Sequence, residues 1–223
     1  MNAVVFAAYF PNRHRVQIYL DTLKKYYKDC DVYIGLNSSF PGANEYLESQ
    51  GFPNVIQVTK ALEVNSDASA YQAALLLLRS TNKNYDIIYF SHSKGTSYPE
   101  ETRWKESCND YFIQFMSRRS EVDNLISDTI GGVSFVGRKE AMNTSGYSKE
   151  MDVYCSILKQ KEVEDIMSLI TMYAIKGSIV KYFLDNCITS FFTNKLDRYF
   201  FETSFPLIVD KSGLQRHHLI IWK

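Results

Sequence analysis

The residues that follow one apolar stretch of the sequence are suited to binding an anion. In YDIIYFSHSKGTSY, residues 85–98, an apolar run leads directly into Ser91, His92, Ser93, Lys94 and Gly95. A cation neutralises a diphosphate, and a glycine lets backbone N–H groups approach it. In open α/β sheets, ligands bind at the carboxyl edge of the strands, where this segment would lie. An isolated pattern of this kind is equally typical of a solvated strand–loop junction.

Strand and helix signals alternate through the first half of the chain. Short apolar runs predict strands at 3–10, 31–36, 54–59 and 86–90. Helical spacing of apolar residues predicts helices at 13–28, 43–50 and 68–80. This order predicts an α/β fold with a mostly parallel sheet, right-handed crossovers and a doubly wound, nucleotide-binding type of architecture.

The second half of the chain is less regular. The predicted helices lie at 103–118, with an extension over 122–127, and at 150–159, 163–169 and 190–200. A strand is predicted at 130–136, a loop at 137–147, and a last strand or apolar tail at 219–222. Because no repeat, low-complexity stretch or linker interrupts the chain, we expect a single domain over residues 1–223.

Composition bounds the class of protein. The 223 residues are 45% hydrophobic and 22% charged, as in a globular protein with a sizeable core. Lys+Arg and Asp+Glu balance at 25 each, which argues against a nucleic acid partner. The four cysteines, Cys30, Cys108, Cys155 and Cys187, are too dispersed for a zinc or disulfide pattern and predict reduced thiols.

No signal peptide or transmembrane segment is predicted. The apolar start lacks a cationic leader, and no apolar run reaches the ~20 residues of a membrane span. We therefore expect a soluble, cytoplasmic protein, in the host cytoplasm if the source is viral.

Polar residues follow each of the four predicted strands in the first half. In a parallel sheet these four positions meet at one edge, where an aromatic ring, amides, carboxylates and a cation suit a base, a ribose and phosphates. The residues are Tyr9, Phe10, Pro11, Asn12 and Arg13, then Asn37 and Ser38, then Asn65, Ser66 and Asp67, and finally His92, Ser93 and Lys94.

Two segments together resemble a known family. VNSDASAYQAALLLL followed by YDIIYFSHSKGTSY is similar to the GT-A class of nucleotide-sugar glycosyltransferases. Within that class it resembles a group with a histidine–lysine–glycine signature, found in bacterial polysaccharide clusters and in large DNA viruses such as chloroviruses, where it helps glycosylate the capsid. The resemblance implies a nucleotide-sugar-binding half at 1–98 and an acceptor-side half at 99–223, in which IGGVSFVGRKE forms the acceptor-side strand and loop.

The resemblance also implies roles for individual residues around a UDP-sugar donor. The donor-binding positions would be Ala8, Tyr9 and Phe10 at the base, Asn37 and Asp67 at uracil or ribose, Tyr71 and Gln72 at ribose or sugar, and Ser91, His92, Ser93 and Lys94 at the diphosphate.

The diphosphate position departs from the family pattern, because the Asp-x-Asp that binds manganese in most members is absent. His92 could still bind Mn²⁺ or Mg²⁺, with a late histidine, His217 or His218, at the metal or the diphosphate. Alternatively, Lys94 and His92 could offset the charge of the diphosphate directly. The terminal histidine pair is also compatible with a plain surface position.

An inverting transferase needs a general base beside the acceptor hydroxyl. Asp152, in GYSKEMDVY, is the first candidate and Glu150 the second, although acidic residues are also favoured in the first turn of any helix. Together, the resemblance implies a hexosyl- or deoxyhexosyltransferase that acts on a glycan or glycoprotein acceptor.

Two other functions stay open at this point. A phosphate-ester hydrolase would need a nucleophile, but the chain has no G-x-S-x-G motif and no aspartate after its first strand. A non-catalytic nucleotide- or glycan-binding module, derived from a transferase, is compatible with the missing aspartates.

Overall fold

The computed structural model describes residues 1–37, 39–58, 66–93, 103–136, 172–186 and 208–220. The strands are β1 (Ala3–Ala8), β2 (Asp31–Leu36), β3 (Asn54–Gln57), β4 (Ile87–His92), β5 (Ile130–Val136), β6 (Tyr173–Lys176) and β7 (Gln215–Ile220). The helices are α1 (Gln17–Tyr26), α2 (Ala43–Ser49), α3 (Ser66–Ser80), α4 (Arg103–Ser117), α5 (Arg119–Leu125) and α6 (Gly177–Asn186), and a 3₁₀ turn at His14–Val16 precedes α1.

The strands form one seven-stranded sheet in the order β3-β2-β1-β4-β6-β5-β7. The first four strands of the chain are parallel to one another. β6 is antiparallel to both β4 and β5, and β7 is parallel to β5. Two antiparallel steps restore the strand direction, so β5 and β7 end at the same edge as β1 to β4. The predicted α/β fold with a mostly parallel sheet is confirmed.

Helices cover both faces of the sheet, and β1 is buried along its whole length. Val5 and Ala7 face a core formed with α3 and α6. Val4 and Phe6 face a second core formed with α1, α2, α4 and α5. This alternation follows from the two-residue period of a strand. Continuous burial explains why the sequence of β1 is apolar throughout rather than alternating.

The strand ends differ from the prediction in ways that matter for the candidate site. β4 extends to His92, two residues beyond its predicted end, so Ser91 and His92 belong to the strand and pair with Phe6 and Ala7 of β1. β1 ends at Ala8 instead of continuing to Phe10. The sheet, not the loop, therefore directs the first polar side chains of the SHSKG segment.

The second half of the fold was predicted less well. β5 has its predicted bounds, whereas β6 and α6 were not predicted, and β7 begins four residues earlier than its apolar signal suggested. The helix predicted at 103–118 with its extension is α4 followed by α5. The loop at 137–147 and the helices predicted at 150–159, 163–169 and 190–200 lie outside the described residues. Within the described ranges, no helix is both long and apolar enough to cross a membrane.

A glycine in β2 allows α3 to approach the sheet. A Cβ atom at Gly35 would lie 1.9 Å from the carbonyl oxygen of Ala70 and 2.7 Å from its carbonyl carbon. Both are backbone atoms of α3, so neither can rotate aside as a side chain could. Gly35 therefore sets how closely the start of α3 packs over the carboxyl end of β2, beside the residues that follow that strand.

We expect Gly35→Ala to lower the free energy of unfolding by about 3 kcal/mol or more, because the methyl group would force α3 away from β2. Urea unfolding followed by circular dichroism measures this loss. Gly132→Ala is the matched control, since its Cβ would first meet a side-chain atom, Val209 Cγ2, at 3.0 Å, and the nearest backbone atom, the Ala174 carbonyl oxygen, at 3.6 Å. The control should lose less than about 1 kcal/mol. Equal losses in the two variants would contradict the proposed close approach.

Candidate functional site

Backbone hydrogen bonds join the carboxyl ends of the central strands. The N–H of Asn37 donates to the carbonyl of Ala8 at 2.8 Å, and the N–H of Ser93 donates to the carbonyl of Ala7 at 3.0 Å. The residues that leave β2 and β4 are thus held against the end of β1. The polar positions predicted to meet at this edge do so for these three strands.

Ser93 closes this edge with its side chain. Its hydroxyl accepts a hydrogen bond from the N–H of Tyr9 at 2.8 Å and donates to the carbonyl of Tyr9 at 3.2 Å. Only 5% of the residue is exposed. Because the hydroxyl hydrogen and the backbone N–H of Ser93 are both committed to β1 and its continuation, the residue has no donor left for a diphosphate. These hydrogen bonds show that Ser93 positions the chain at this edge, and its predicted phosphate contact stays a prediction.

His92 and Tyr71, both predicted to contact the donor, lie close together. Their ring centroids are 6.3 Å apart, and the Tyr71 ring of α3 lies at the same distance from Phe90. His92 is 1% exposed and Tyr71 has no exposed surface, whereas the neighbouring Gln72 is half-buried. The rings of His92 and Tyr71 are thus buried together at the carboxyl end of β4. Of the two predicted donor contacts on α3, Gln72 is the more accessible.

Ser91 lies on the opposite face of the sheet from His92. The alternation of side chains along β4 sends adjacent residues to opposite faces, so the two cannot contact the same phosphate group from within the strand. Ser91 is fully buried, and among the described residues its hydroxyl has no hydrogen-bond partner. The side chains of Ser91 and His92 thus lie on opposite faces of the sheet, and their predicted contacts with the diphosphate stay predictions.

The predicted base pocket contains one side chain with exposed surface. Ala8 and Phe10 are buried, and the ring of Phe10 packs 5.9 Å from that of Tyr19 and 6.1 Å from that of Phe6. Tyr9 is half-buried. The ring of Phe10 belongs to the core, which leaves Tyr9 as the aromatic side chain of this segment that could stack on a base.

Two further residues fix the start of the loop after β1. The N–H of Phe10 donates to Ser39 Oγ at 3.1 Å, and the N–H of Phe40 donates to the carbonyl of Phe10 at 2.9 Å. Asn37, which the sequence predicted at uracil or ribose, is 5% exposed at the same edge. Ser39 was not among the residues predicted for this site. A serine two residues before a turn such as Pro41-Gly42 is a common local hydrogen-bonding position.

A second histidine lies on the outer strand of the sheet. His218 of β7 is directly opposite Ser134 of β5, and its Nδ1 lies 2.7 Å from Ser134 Oγ. Arg216, two residues before His218 on β7, donates from Nε to Asp210 Oδ1 at 2.8 Å. Burial raises the pKa of Asp210, although Arg216 acts in the opposite direction. The hydrogen bond with Ser134 orients the His218 imidazole and leaves Nε2 as its other ring nitrogen.

His92 and His218 lie on strands that are not neighbours in the sheet. β6 and β5 separate β4 from β7, which amounts to three strand spacings or about 14 Å. In the part of the chain that the structure describes, no three His, Cys, Asp or Glu side chains gather at a possible metal site. The sheet order keeps the two histidines on separate strands, and their predicted roles as metal ligands stay predictions.

Several predicted residues lie outside the described part of the chain. These are Lys94, Glu150 and Asp152, together with the side chain of Asp67. Their predicted roles stay predictions.

No protein-family model matches the sequence, and no curated protein matches it. A solved mycobacterial protein matches the structure with a TM-score of 0.51 and 14% identity, over 99% of this chain and 66% of that one.

Glucosyl-3-phosphoglycerate synthase from Mycobacterium tuberculosis also matches. Its complex with Mn²⁺, UDP-glucose and glycerol 3-phosphate gives a TM-score of 0.48 and 13% identity, over 99% of this chain and 70% of that one. Its complex with Mg²⁺ and UDP gives a TM-score of 0.47 at 13% identity, with the same coverage of both chains. Of these three matches, the mycobacterial protein with a TM-score of 0.51 indicates a shared α/β fold, and 14% identity does not transfer an activity. The narrower resemblance to a chlorovirus group stays a prediction.

The two buried serines of the SHS segment should differ in their effect on stability. Ser93→Ala should lower the free energy of unfolding by about 1–3 kcal/mol, because it leaves the N–H of Tyr9 without its acceptor. Ser91→Ala should change it by less than about 0.5 kcal/mol or raise it, since the Ser91 hydroxyl makes no hydrogen bond within the described residues. Urea unfolding of both variants tests this. A larger loss for Ser91→Ala would overturn the assigned roles.

Proposed function

We propose that this protein is a glycosyltransferase that transfers a sugar from a nucleotide-sugar donor, a UDP-sugar, to a glycan or glycoconjugate acceptor. The observation that carries the proposal is the joined edge of β1, β2 and β4. There, Ser93, the last described residue before Lys94 and Gly95, is hydrogen-bonded to Tyr9, beside Asn37. An aromatic ring and an amide at the carboxyl edge of parallel strands, with a lysine and a glycine next in the sequence, suit a base, a ribose and a diphosphate.

The order of the strands supports a division between donor and acceptor halves. The strands of residues 1–98 are contiguous in the sheet as β3-β2-β1-β4, and those of residues 99–223 are contiguous as β6-β5-β7. β4 borders the second group, so a diphosphate at the end of β4 would direct its sugar toward β6 and β5. We propose that the acceptor binds over this second group of strands.

The proposed reaction is a single displacement at the anomeric carbon. The acceptor oxygen forms a bond to that carbon while the bond from the carbon to the diphosphate oxygen breaks. Lys94 and the N–H groups of the glycine turn would stabilise the negative charge on the leaving diphosphate. Asp152 would take the proton of the acceptor hydroxyl, and the configuration at the anomeric carbon would invert.

A divalent metal, if bound, would supply part of the charge that stabilises the leaving diphosphate. Among the described residues, His92 is the candidate ligand at this position, and it lies far from His218. A site formed by the described side chains alone does not fit a metal ion. We therefore assign the stabilisation of the leaving diphosphate to Lys94. Assays with and without Mn²⁺ then measure whether a metal ion contributes.

Incubation with a panel of nucleotide sugars, with and without Mn²⁺, tests the function directly. We expect release of UDP from a UDP-sugar, since even slow hydrolysis of the donor shows that the leaving group is activated. Stabilisation by a nucleotide without release would favour the non-catalytic binding module, which the missing Asp-x-Asp keeps as the second candidate. No response to any nucleotide would refute the proposal.

Two variants should separate the donor and acceptor steps. Lys94→Ala should slow UDP release by about 10²-fold or more even without acceptor, because the leaving group loses its cation. Asp152→Asn should leave donor hydrolysis within a few-fold but slow transfer to an acceptor by about 10²-fold or more. Coupled assays of UDP release and product formation measure the two steps.

Lys25→Ala and Asp128→Asn are the matched controls for these variants. Asp128 is exposed, pairs with Lys176 and precedes β5, at the edge of the sheet opposite the proposed donor site. Lys25 lies on α1, where its ammonium group is 4.9 Å from the Tyr26 ring centroid, and it is remote from the edge after β4. Both controls should keep wild-type rates. Wild-type kinetics for Lys94→Ala would show that the turn after β4 does not bind the diphosphate.

A further inference from the structure

A second cleft opens at the edge of the sheet opposite the proposed donor site. Its volume is about 470 Å³, within the range of small-molecule sites. It lies between the end of α3 and one side of α6, at the amino end of β4. Ile88 lines it, and His92 is four residues further along the same strand, a separation of about 13 Å. The cleft is therefore distinct from the edge where the donor would bind.

The floor of the cleft is apolar and rigidly placed. Leu78, Ile88 and Leu184 line it and are each at most 4% exposed. A Cβ atom at Gly177 would lie 1.8 Å from the carbonyl oxygen of Tyr85, so the absence of a side chain lets α6 meet the segment before β4. These contacts leave a fixed concave surface that an apolar group could cover.

One wall of the cleft is held by a hydrogen-bonded network. The Tyr85 hydroxyl donates to Asp31 Oδ2 at 2.6 Å and lies 2.5 Å from the Tyr33 hydroxyl, and Lys83 Nζ donates to the same Asp31 oxygen at 2.7 Å. Burial alone would raise the pKa of Asp31, but hydrogen bonds from Lys83 and Tyr85 lower it. Asp31 is therefore ionised near neutral pH and offsets the charge of Lys83.

The cations at the rim differ in their partners. Lys83 is paired with Asp31, and Lys181 is paired with Asp185 at 3.0 Å. Arg79, in the last turn of α3, lines the same cleft and has no acidic partner among the described residues. Its guanidinium group is the positive charge that remains available to an incoming anion.

We propose that this cleft binds a small organic anion whose apolar or aromatic body covers the Leu78–Ile88–Leu184 floor and whose phosphate or carboxylate contacts Arg79. The amide side chains of Asn82 and Asn84, which also line the cleft, would supply further donors. An arginine fork matches both oxyanions, and an apolar floor adds affinity for the body that carries them. The proposal is independent of the glycosyltransferase assignment.

Isothermal titration with three probes tests the two parts of this recognition separately. Phenyl phosphate has both the ring and the anion, inorganic phosphate has only the anion, and phenol has only the ring. We expect phenyl phosphate to bind at least about tenfold more tightly than either of the others, since each lacks one of the two contacts. Benzoate in place of phenyl phosphate shows whether a carboxylate is preferred.

Arg79→Gln should weaken phenyl phosphate binding by about fivefold or more. Ser178→Trp, at an exposed residue that lines the cleft, should abolish it by filling the space without changing the charge. Arg118→Gln is the matched control, because Arg118 precedes α5, away from the cleft, and pairs with Glu121. This control should bind like the wild type.

Equal affinity in Arg79→Gln and the wild type would overturn the proposal, as would phenyl phosphate binding no better than inorganic phosphate. Circular dichroism of each variant establishes that it is folded. If Arg79→Gln does not fold, Ser178→Trp tests the cleft independently. Because Arg79 and the donor edge lie at opposite ends of the sheet, a probe bound at the donor edge would be insensitive to both substitutions.

Discussion

The central position of β1 is the constraint on which the rest of the structure depends. All six of its residues are at most 2% exposed, and it pairs in parallel with β2 on one side and β4 on the other. Since its neighbours run in the same direction, the residues that follow all three strands emerge at one edge. Since both faces are covered, successive side chains enter two different cores. The parallel neighbours of β1 and the burial of both its faces therefore determine which side chains lie at the candidate site.

The SHS segment illustrates how the sheet distributes one polar cluster. Ser91 is turned toward the core under α1 and α4, His92 toward Tyr71 of α3, and Ser93 back to the main chain of Tyr9. Three adjacent polar residues therefore have three different environments. The residue that joins the strands is Ser93, whose hydrogen bonds to the backbone hold the end of β4 against β1 without the help of a ligand.

Helix α3 links the two edges of the sheet. Its first turns pack on Gly35 and carry Tyr71, near the proposed donor site, and its last turn carries Leu78 and Arg79 at the second cleft. Fifteen helical residues span about 22 Å, which is enough to connect the two ends of the strands. The same buried helix thus contributes to both sites, with its apolar residues in one continuous core.

Local patterns in the sequence were sufficient for the elements whose signals are short-range. β2 and β5 have their predicted bounds because apolar runs and flanking polar or glycine residues identify them without reference to the rest of the chain. The parallel arrangement of the first four strands also followed from their alternation with helices. The polar residues at the ends of β1, β2 and β4 could therefore be predicted to lie near one another.

Tertiary structure alone decided the remaining features. β6, YAIK, is too short to be recognised locally and exists because it fits between β4 and β5, which are distant in sequence. β7 begins with polar residues, QRHH, and is stabilised by pairing with β5. The separation of His92 from His218, and the burial of Phe10, depend on the order of strands and on helix packing. Local sequence determines which residues favour a strand, but long-range pairing determines where the strand lies and which side chains share a site.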